Sequence, residues 1–248
     1  MPDITGYRAK VGVIVPSTNT VVEHDTALLR PHGVTFHTGR MRITDPRMDS
    51  NANFEALILQ IREAITAALD DVMTAKPDVM MMGMSGETFW GGAKGHDAFM
   101  QRVTEATGGL QVTTGAAACR AALEALGVQR IAVFSPYQPV ADEQVIRYFG
   151  EVGFDVVRMK GLQAPSATAI AEIGPAQVIE TLREIDSDDV DAIVQVGTNL
   201  SMVGIADQAE HWLGKPVVAI NAATIWHTLR SAGFTDTWAG AGRLLREF

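Results

Sequence analysis

The stretch Val11-Gly-Val-Ile-Val-Pro-Ser-Thr-Asn-Thr20 decides the fold of this chain. Its first five residues carry no polar side chain, which is typical of a parallel strand that is covered on both faces. Pro16 ends the apolar run, and Ser17, Thr18 and Asn19 follow it. Open α/β sheets bind ligands beyond the carboxyl ends of their strands, so we expect these three residues at a substrate site. They also suit a helix N-cap, an equally good and compatible interpretation.

The same design, an apolar strand that breaks into small residues, recurs later in the same order. Pro136 repeats Pro16, Gly197 repeats Gly83, and Asn221-Ala-Ala repeats Gly115-Ala-Ala. This order indicates duplication. We therefore predict an α/β fold of two pseudo-symmetric, doubly wound parallel-sheet domains with the active-site cleft between them. The first domain is assigned to residues 1–115 plus 222–248, and the second to residues 116–221.

Between these strands, apolar periodicity and glycine positions predict the remaining elements. Helices are expected at 21–30, 54–74, 99–107 and 115–126. Residues 38–53 lack periodicity and are predicted to form a long loop that packs over another part of the molecule. Three glycines between positions 91 and 95 predict a flexible segment.

Composition excludes several classes of function. The 248 residues are 47% hydrophobic and 20% charged, and the formal net charge of −9 argues against binding to nucleic acid or to an anionic membrane surface. Residues 1–10 contain no apolar leader segment, and no apolar run is long enough to span a bilayer, so we expect a cytoplasmic protein. The six histidines show no metal-ligand spacing, and no nucleotide-binding loop occurs, so no metal site is predicted.

Four segments resemble one known group of enzymes: Val13-Ile-Val-Pro-Ser-Thr-Asn19, Met82-Gly-Met-Ser85, Ser135-Pro-Tyr137 and Gly197-Thr-Asn199. They are similar to the maleate cis-trans isomerase and arylmalonate decarboxylase branch of the aspartate/glutamate racemase superfamily. The resemblance implies two domains around a closed cleft and no metal or organic cofactor. It also implies a small carboxylate substrate, held by backbone amides and hydroxyls, and an enolate-like intermediate. We further expect a homo-oligomer.

The chain departs from that group at its catalytic cysteines. The resemblance places these cysteines in the loops after the two equivalent strands, where this sequence has Gly83 and Gly197. The single cysteine, Cys119, lies in the predicted Ala-rich helix, where a buried and inert thiol is expected. Racemisation by two thiols, and thiolate addition to a double bond, therefore lack their reagents.

Other residues of the predicted loops then have to supply the chemistry. Glu87 is predicted to act as a general base in the cleft, although its position equally suits the first turn of a helix. Ser85 is expected to donate hydrogen bonds, and Tyr137, which matches a tyrosine of the family, to donate a proton or hold a carboxylate. The predicted substrate-binding residues are Ser17, Thr18, Asn19, Gly83, Met84, Gly197, Thr198 and Asn199, the last two suiting an oxyanion pocket.

The sequence favours a cofactor-independent, cysteine-free enzyme that performs acid/base chemistry on a small carboxylate. One alternative is a hydrolase that opens an amide, imide or lactone, with Glu87 activating water or Ser85 acting beside an oxyanion pocket. Another alternative is a binding protein for small carboxylates that has lost both thiols and does not catalyse.

Overall fold

The computed structural model describes residues 3–248, which form two parallel four-stranded sheets with helices packed around them. The first sheet and its helices comprise β1 (Ala9–Pro16), α1 (Val22–Leu28), β2 (Val34–Met41), α2 (Asn51–Met73), β3 (Val79–Met82), α3 (Gly86–Phe89), α4 (Gly92–Ala106), β4 (Val112–Thr113) and α5 (Gly115–Leu126). The second comprises β5 (Arg130–Ser135), α6 (Pro139–Glu151), β6 (Asp155–Gly161), a 3-10 helix (Ala169–Glu172), α7 (Pro175–Ile185), β7 (Ala192–Gln195), α8 (Val203–Leu213), β8 (Val217–Ala219), α9 (Ile220–Ser231) and α10 (Arg243–Glu247).

The two sheets have the same strand order, β2-β1-β3-β4 and β6-β5-β7-β8, and all their strand pairs are parallel. The predicted fold class is therefore confirmed. Strands β1 and β5 occupy equivalent positions, as do β3 and β7. The carboxyl ends of these four strands carry the loops that the repeat in the sequence singled out.

Strand β1 is buried as its composition predicts, since Val11, Val13, Ile14 and Val15 are each at most 1% exposed. Both faces of the strand are covered because parallel strands are joined by helices that cross the sheet. Helix α5 begins and ends at the predicted residues, with Thr114 as its N-cap and Gly127 in the left-handed conformation at its end.

Two predictions about local structure are wrong. The predicted loop at 38–53 is shorter than expected, because β2 continues to Met41 in register with β1 and α2 begins at Asn51. Ser50 accepts a hydrogen bond from the Asn53 amide and starts α2. The predicted flexible glycine segment instead begins α4 at Gly92, seven residues before the predicted start of that helix.

The two halves share a helical layer. Helix α5, which follows the first sheet, packs on α9, which follows the second sheet, and α9 also contacts β3 and β4. The domain boundaries given above stay a prediction, and residues 1 and 2 of the first range lie outside the described residues. Within residues 3–248, no helix combines the length and the apolar character that crossing a membrane requires.

Candidate active site

The loops after β1, β3, β5 and β7 meet between the two sheets. Thr198 lies in the loop after β7 and contacts the loop after β3 twice. Its hydroxyl donates to the Gly83 carbonyl (3.1 Å), and its N–H donates to Ser85 Oγ (3.2 Å). The Asn19 side-chain amide, after β1, donates to the Thr198 hydroxyl (3.3 Å). The Ser85 hydroxyl is hydrogen-bonded to Tyr137, which follows β5. Residues far apart in sequence are therefore brought to one point.

Beside this point lies a cavity whose empty space, including the part that is open to solvent, is about 500 Å³. Its polar side is formed by Ser85, Tyr137, Thr198 and the two asparagines Asn19 and Asn199, and no charged side chain lines it within the described chain. Burial raises the pKa of the Tyr137 phenol above its usual value, while the hydrogen bond with Ser85 opposes that rise. The phenol therefore keeps its proton at neutral pH and is available as a donor.

Both asparagines hold the loops as well as facing the cavity. Asn19 Oδ1 accepts from the N–H groups of Val21 and Val22 (3.0 Å each), just before and at the start of α1, and the same side chain lines the cavity. Asn199 Oδ1 accepts from the Thr20 N–H (2.9 Å), and its amide donates to the Ala167 carbonyl (2.9 Å). These bonds tie the loop after β7 to the loops after β1 and β6.

The opposite side of the cavity is apolar. One face of the first three turns of α2 forms most of this apolar side, and the segments after β2 and β6 form the rest. The side chains are Ile43, Met48, Phe54, Leu57, Ile58, Ile61 and Ile170. These residues were not predicted as site residues. The amphipathic pattern of α2 was visible in the sequence, but the pattern is the same whether a helix face covers a protein core or a ligand cavity.

Two segments that line the cavity are also hydrogen-bonded to each other, one between β2 and α2 and one after β6. The Asp45 carboxylate accepts from the N–H (3.0 Å) and hydroxyl (2.7 Å) of Thr168. The Met48 N–H donates to the Pro165 carbonyl (2.7 Å). Met48 and Ala167, which neighbour these contacts, line the cavity. The pairing therefore closes one side of it.

Replacing Asp45 by Ala is expected to raise KM by about five- to thirtyfold, because losing the two hydrogen bonds between these segments costs roughly 1–2 kcal/mol. The melting temperature is expected to change little, since the contact is exposed to solvent. Asp45→Asn, which retains one acceptor and tolerates the left-handed backbone at this residue (φ 51°), is the matched control. An unchanged KM in the alanine variant would show that this pairing does not assist binding.

Several predicted site residues lie outside the cavity. Ser17 instead holds the backbone of Ile43, accepting from its N–H at 3.0 Å. Gly83, predicted as a substrate-binding residue, does not line the cavity, and a Cβ there would lie 2.5 Å from Val15 Cγ1 and 2.9 Å from Val22 Cγ1. The glycine is needed for close packing inside the first sheet layer. Pro16, Thr18, Met84 and Gly197 do line the cavity.

Glu87 is also placed elsewhere. Its side chain is 2% exposed and lines a second cavity, between α2, α3 and α4. One carboxylate oxygen accepts from Arg62 Nε (2.7 Å) and from an Arg102 guanidinium nitrogen (3.2 Å). The carboxylate is therefore part of an ion-pair network between α2, α3 and α4, away from the polar side of the first cavity. The structure does not bring Glu87 together with Ser85 and Tyr137.

Cys119 is fully buried in α5 and does not line the cavity. Burial raises the pKa of its thiol far above the usual value, so the reactive thiolate is scarce at neutral pH. In the part of the chain that the structure describes, no group of three or more His, Cys, Asp or Glu side chains is arranged to hold a metal ion.

Comparison with known proteins gives one consistent result. Residues 11–245 match the family model described as arylmalonate decarboxylase. The chain is 31% identical to a maleate isomerase from Nocardia farcinica, with 96% of each chain covered. It is 30% identical to an arylmalonate decarboxylase from Bordetella bronchiseptica over 68% of this chain and 71% of the relative. A solved structure of a mutant Nocardia farcinica maleate cis-trans isomerase, with a covalently bound succinylcysteine intermediate, has a TM-score of 0.87 at 28% identity, covering 96% of this chain and 98% of that one.

Proposed function

Because the chain belongs to the arylmalonate decarboxylase family, we propose that it is a cofactor-independent lyase that removes CO₂ from a small carboxylate bearing an apolar substituent, without a cysteine. The observation that carries the proposal is the meeting of Ser85, Tyr137 and the Thr198 N–H at the polar side of an otherwise apolar cavity. Such fixed donors stabilise negative charge that develops on a carboxylate during reaction.

The proposed step is the loss of one carboxylate from a disubstituted methane carbon. The bond from this carbon to the leaving carboxylate breaks, and its electron pair passes into the remaining carboxylate to give an enediolate. The Ser85 hydroxyl, to which the Thr198 N–H donates, donates its own hydrogen to an enediolate oxygen. The Tyr137 hydroxyl then protonates the carbon, and the phenol regains its proton from water. The raised pKa of the buried phenol supports this role, because the proton is retained until the basic carbon appears.

The apolar wall supports both the choice of reaction and the choice of substrate. A charged carboxylate next to side chains such as Phe54, Ile58 and Met48 loses hydration without gaining a cation, so its ground state is destabilised relative to neutral CO₂. A phenyl or branched alkyl substituent gains free energy on the same wall. Addition of a thiolate, as in a relative with a succinylcysteine intermediate, is not supported, because no thiol lines the cavity.

The experiment is an assay of mono-substituted malonates in D₂O, with unsubstituted malonate and maleate as comparators. We expect release of CO₂ and incorporation of one deuterium at the remaining carbon. The value of kcat/KM is expected to be about 10²-fold higher for the phenyl compound than for malonate, because burying a phenyl group is worth roughly 2–3 kcal/mol. Incorporation of oxygen label from water into the product, without release of CO₂, would instead indicate that the protein is a hydrolase. Tight binding of these compounds without turnover would indicate a binding protein that does not catalyse.

Thiol reagents are expected to leave the native protein fully active. The reason is that Cys119 is buried and its thiolate is disfavoured. Incubation with iodoacetamide, followed by mass spectrometry and an activity assay, tests this, and the unfolded protein serves as the positive control for labelling. Rapid inactivation with the label on Cys119, and protection by a substrate analogue, would contradict a cysteine-free mechanism.

A further inference from the structure

Two buried carboxyl groups lie behind the site, at equivalent positions of the two halves. Asp25 is the fourth residue of α1, and Asp142 is the fourth residue of α6; each helix follows the first strand of its sheet. Their exposed fractions are 2% and 8%. Neither lines the cavity, and among the described residues neither forms an ion pair with a lysine or arginine. Asp25 Oδ1 does contact the exposed His24 ring at Nδ1 (3.1 Å), a partner that is cationic only when it is protonated.

Asp142 is linked to Tyr137 through Ser135, the last residue of β5. One Asp142 oxygen is hydrogen-bonded to the Ser135 hydroxyl, and Ser135 Oγ accepts from the Tyr137 N–H (2.9 Å). These roles are consistent, because a hydroxyl that donates its single hydrogen to a carboxylate still has lone pairs to accept an N–H. The carboxyl group therefore fixes the backbone that carries the Tyr137 ring.

Asp25 is linked to Thr198 in a corresponding way. Its Oδ2 accepts from the Asn221 side-chain amide (2.7 Å), and the same amide nitrogen donates to the Thr198 carbonyl (2.9 Å). Asn221 is the second residue of α9, so the contact reaches the loop after β7 from behind. The N–H of Thr198, on the other side of this loop, donates to Ser85 Oγ.

A buried carboxyl group that no lysine or arginine neutralises is unfavourable for stability. Burial raises the pKa of Asp142 to about 7, and it raises that of Asp25, in each case because the charged form loses hydration. An apolar residue at either position would avoid this cost. Two such groups at equivalent positions, each two hydrogen bonds from a donor of the site, therefore point to a role in function.

We propose that Asp142 and Asp25 are positioning residues that hold the Tyr137 hydroxyl and the Thr198 N–H on one Ser85 hydroxyl. The proposal rests on the proposed function for its effect on catalysis, but the geometry it predicts can be measured without any substrate. Each carboxyl group fixes one donor, and the two donors come from the same sheet through different loops, after β5 and after β7.

The first experiment is NMR of the protein with ¹³C at the tyrosine ring carbon that bears the hydroxyl. The chain has three tyrosines, and Tyr137→Phe assigns the signal of interest. Asp142→Ala and Ser135→Ala are expected to shift the Tyr137 signal and to lower kcat about tenfold or more, with a smaller effect on KM. Asp142→Asn is expected to keep most of kcat and to leave the Tyr137 signal close to its native position, because its amide oxygen still accepts from Ser135. Glu143→Gln, at the exposed neighbouring residue, is the matched control.

A double-mutant cycle then tests the route. If Asp142 acts through Ser135, the Ser135→Ala/Asp142→Ala variant is expected to lose no more activity than Asp142→Ala alone. Asn221→Ala is expected to lower kcat without moving the Tyr137 signal as far, because it acts on the Thr198 loop. If Asp142→Ala does not fold, Ser135→Ala carries the test by itself.

The outcomes separate this inference from the proposed function. An unmoved Tyr137 signal and an unchanged kcat in Ser135→Ala and Asp142→Ala would overturn the positioning role. It would also be overturned if these variants had a lowered melting temperature but the native Tyr137 signal and the native kcat. A shifted signal in these variants, together with full activity of Tyr137→Phe, would support the positioning and reject the proposed function instead.

Discussion

Tyr137→Phe is expected to lower kcat by about 10²-fold or more, because it removes the hydroxyl proposed as the proton donor. The phenyl ring is kept, and its edge-to-face packing on Phe54, with ring centroids 5.3 Å apart, remains available. The Ser85 hydroxyl also keeps its hydrogen bond from the Thr198 N–H. Binding of a substrate analogue is therefore expected to weaken by less than about tenfold, since one neutral hydrogen bond is worth roughly 0.5–1.5 kcal/mol.

The matched control is Tyr148→Phe, at a second buried tyrosine that packs against Phe89 and does not line the cavity. Steady-state kinetics of both variants, with calorimetric binding of an unreactive analogue, separates chemistry from binding. If Ser85 and Tyr137 act as a unit, the Ser85→Ala/Tyr137→Phe variant loses little more than Tyr137→Phe alone. Full activity of Tyr137→Phe would mean that the proton comes from another donor.

Gly83→Cys is expected to destabilise the protein by about 2 kcal/mol or more, because its side chain would enter a close-packed layer. The contacts are with Val15 and Val22 and with the Ile14 carbonyl (3.2 Å), none of which can move without disturbing β1 or α1. For a chain of this size, such a loss lowers the melting temperature by roughly 4–8 °C. The new thiol is expected to react slowly with iodoacetamide, since it would face the interior.

Gly204→Cys is the control, because nothing lies within 4 Å of the corresponding Cβ and the residue is exposed in α8. Gly197→Cys is expected to be at least as harmful as Gly83→Cys. Its backbone has φ 110°, which side chains rarely adopt, and its Cβ would contact the Pro136 ring. A Gly83→Cys protein with an unchanged melting temperature and a rapidly modified thiol would show that residue 83 faces the cavity.

The packing around these two glycines supports the proposal of a mechanism without a cysteine. Around Gly83 and Gly197, neighbouring side chains have filled the space into which a cysteine would project. A thiol at either position would therefore require changes in Val15, Val22 or Pro136 as well. The remaining polar groups, Ser85 and Tyr137, suit hydrogen-bond donation and proton transfer and are not activated as nucleophiles.

Glu87 shows where inference from local sequence fails. As the only charged residue between Asp78 and Lys94, it was expected in the cleft with Ser85, two residues before it. The short helix α3 turns the chain between them, so Ser85 faces the cavity and Glu87 faces α2 and α4. Its partners Arg62 and Arg102 come from those two helices, and no local pattern identifies such partners.

The sequence by itself determined the parallel strands, their repeated order and the loops that form the site. Apolar runs such as Val11–Val15 and the small residues after them are local patterns, and the carboxyl ends of parallel strands meet at one edge of a sheet. Only the tertiary structure decided which side chains of those loops face the cavity, that α2 supplies its apolar wall, and that Asp25 and Asp142 lie behind it. The physical reason is that side-chain direction and pairing depend on contacts between segments far apart in the chain, as between Asn221 and Asp25, and a periodic pattern does not specify the partner.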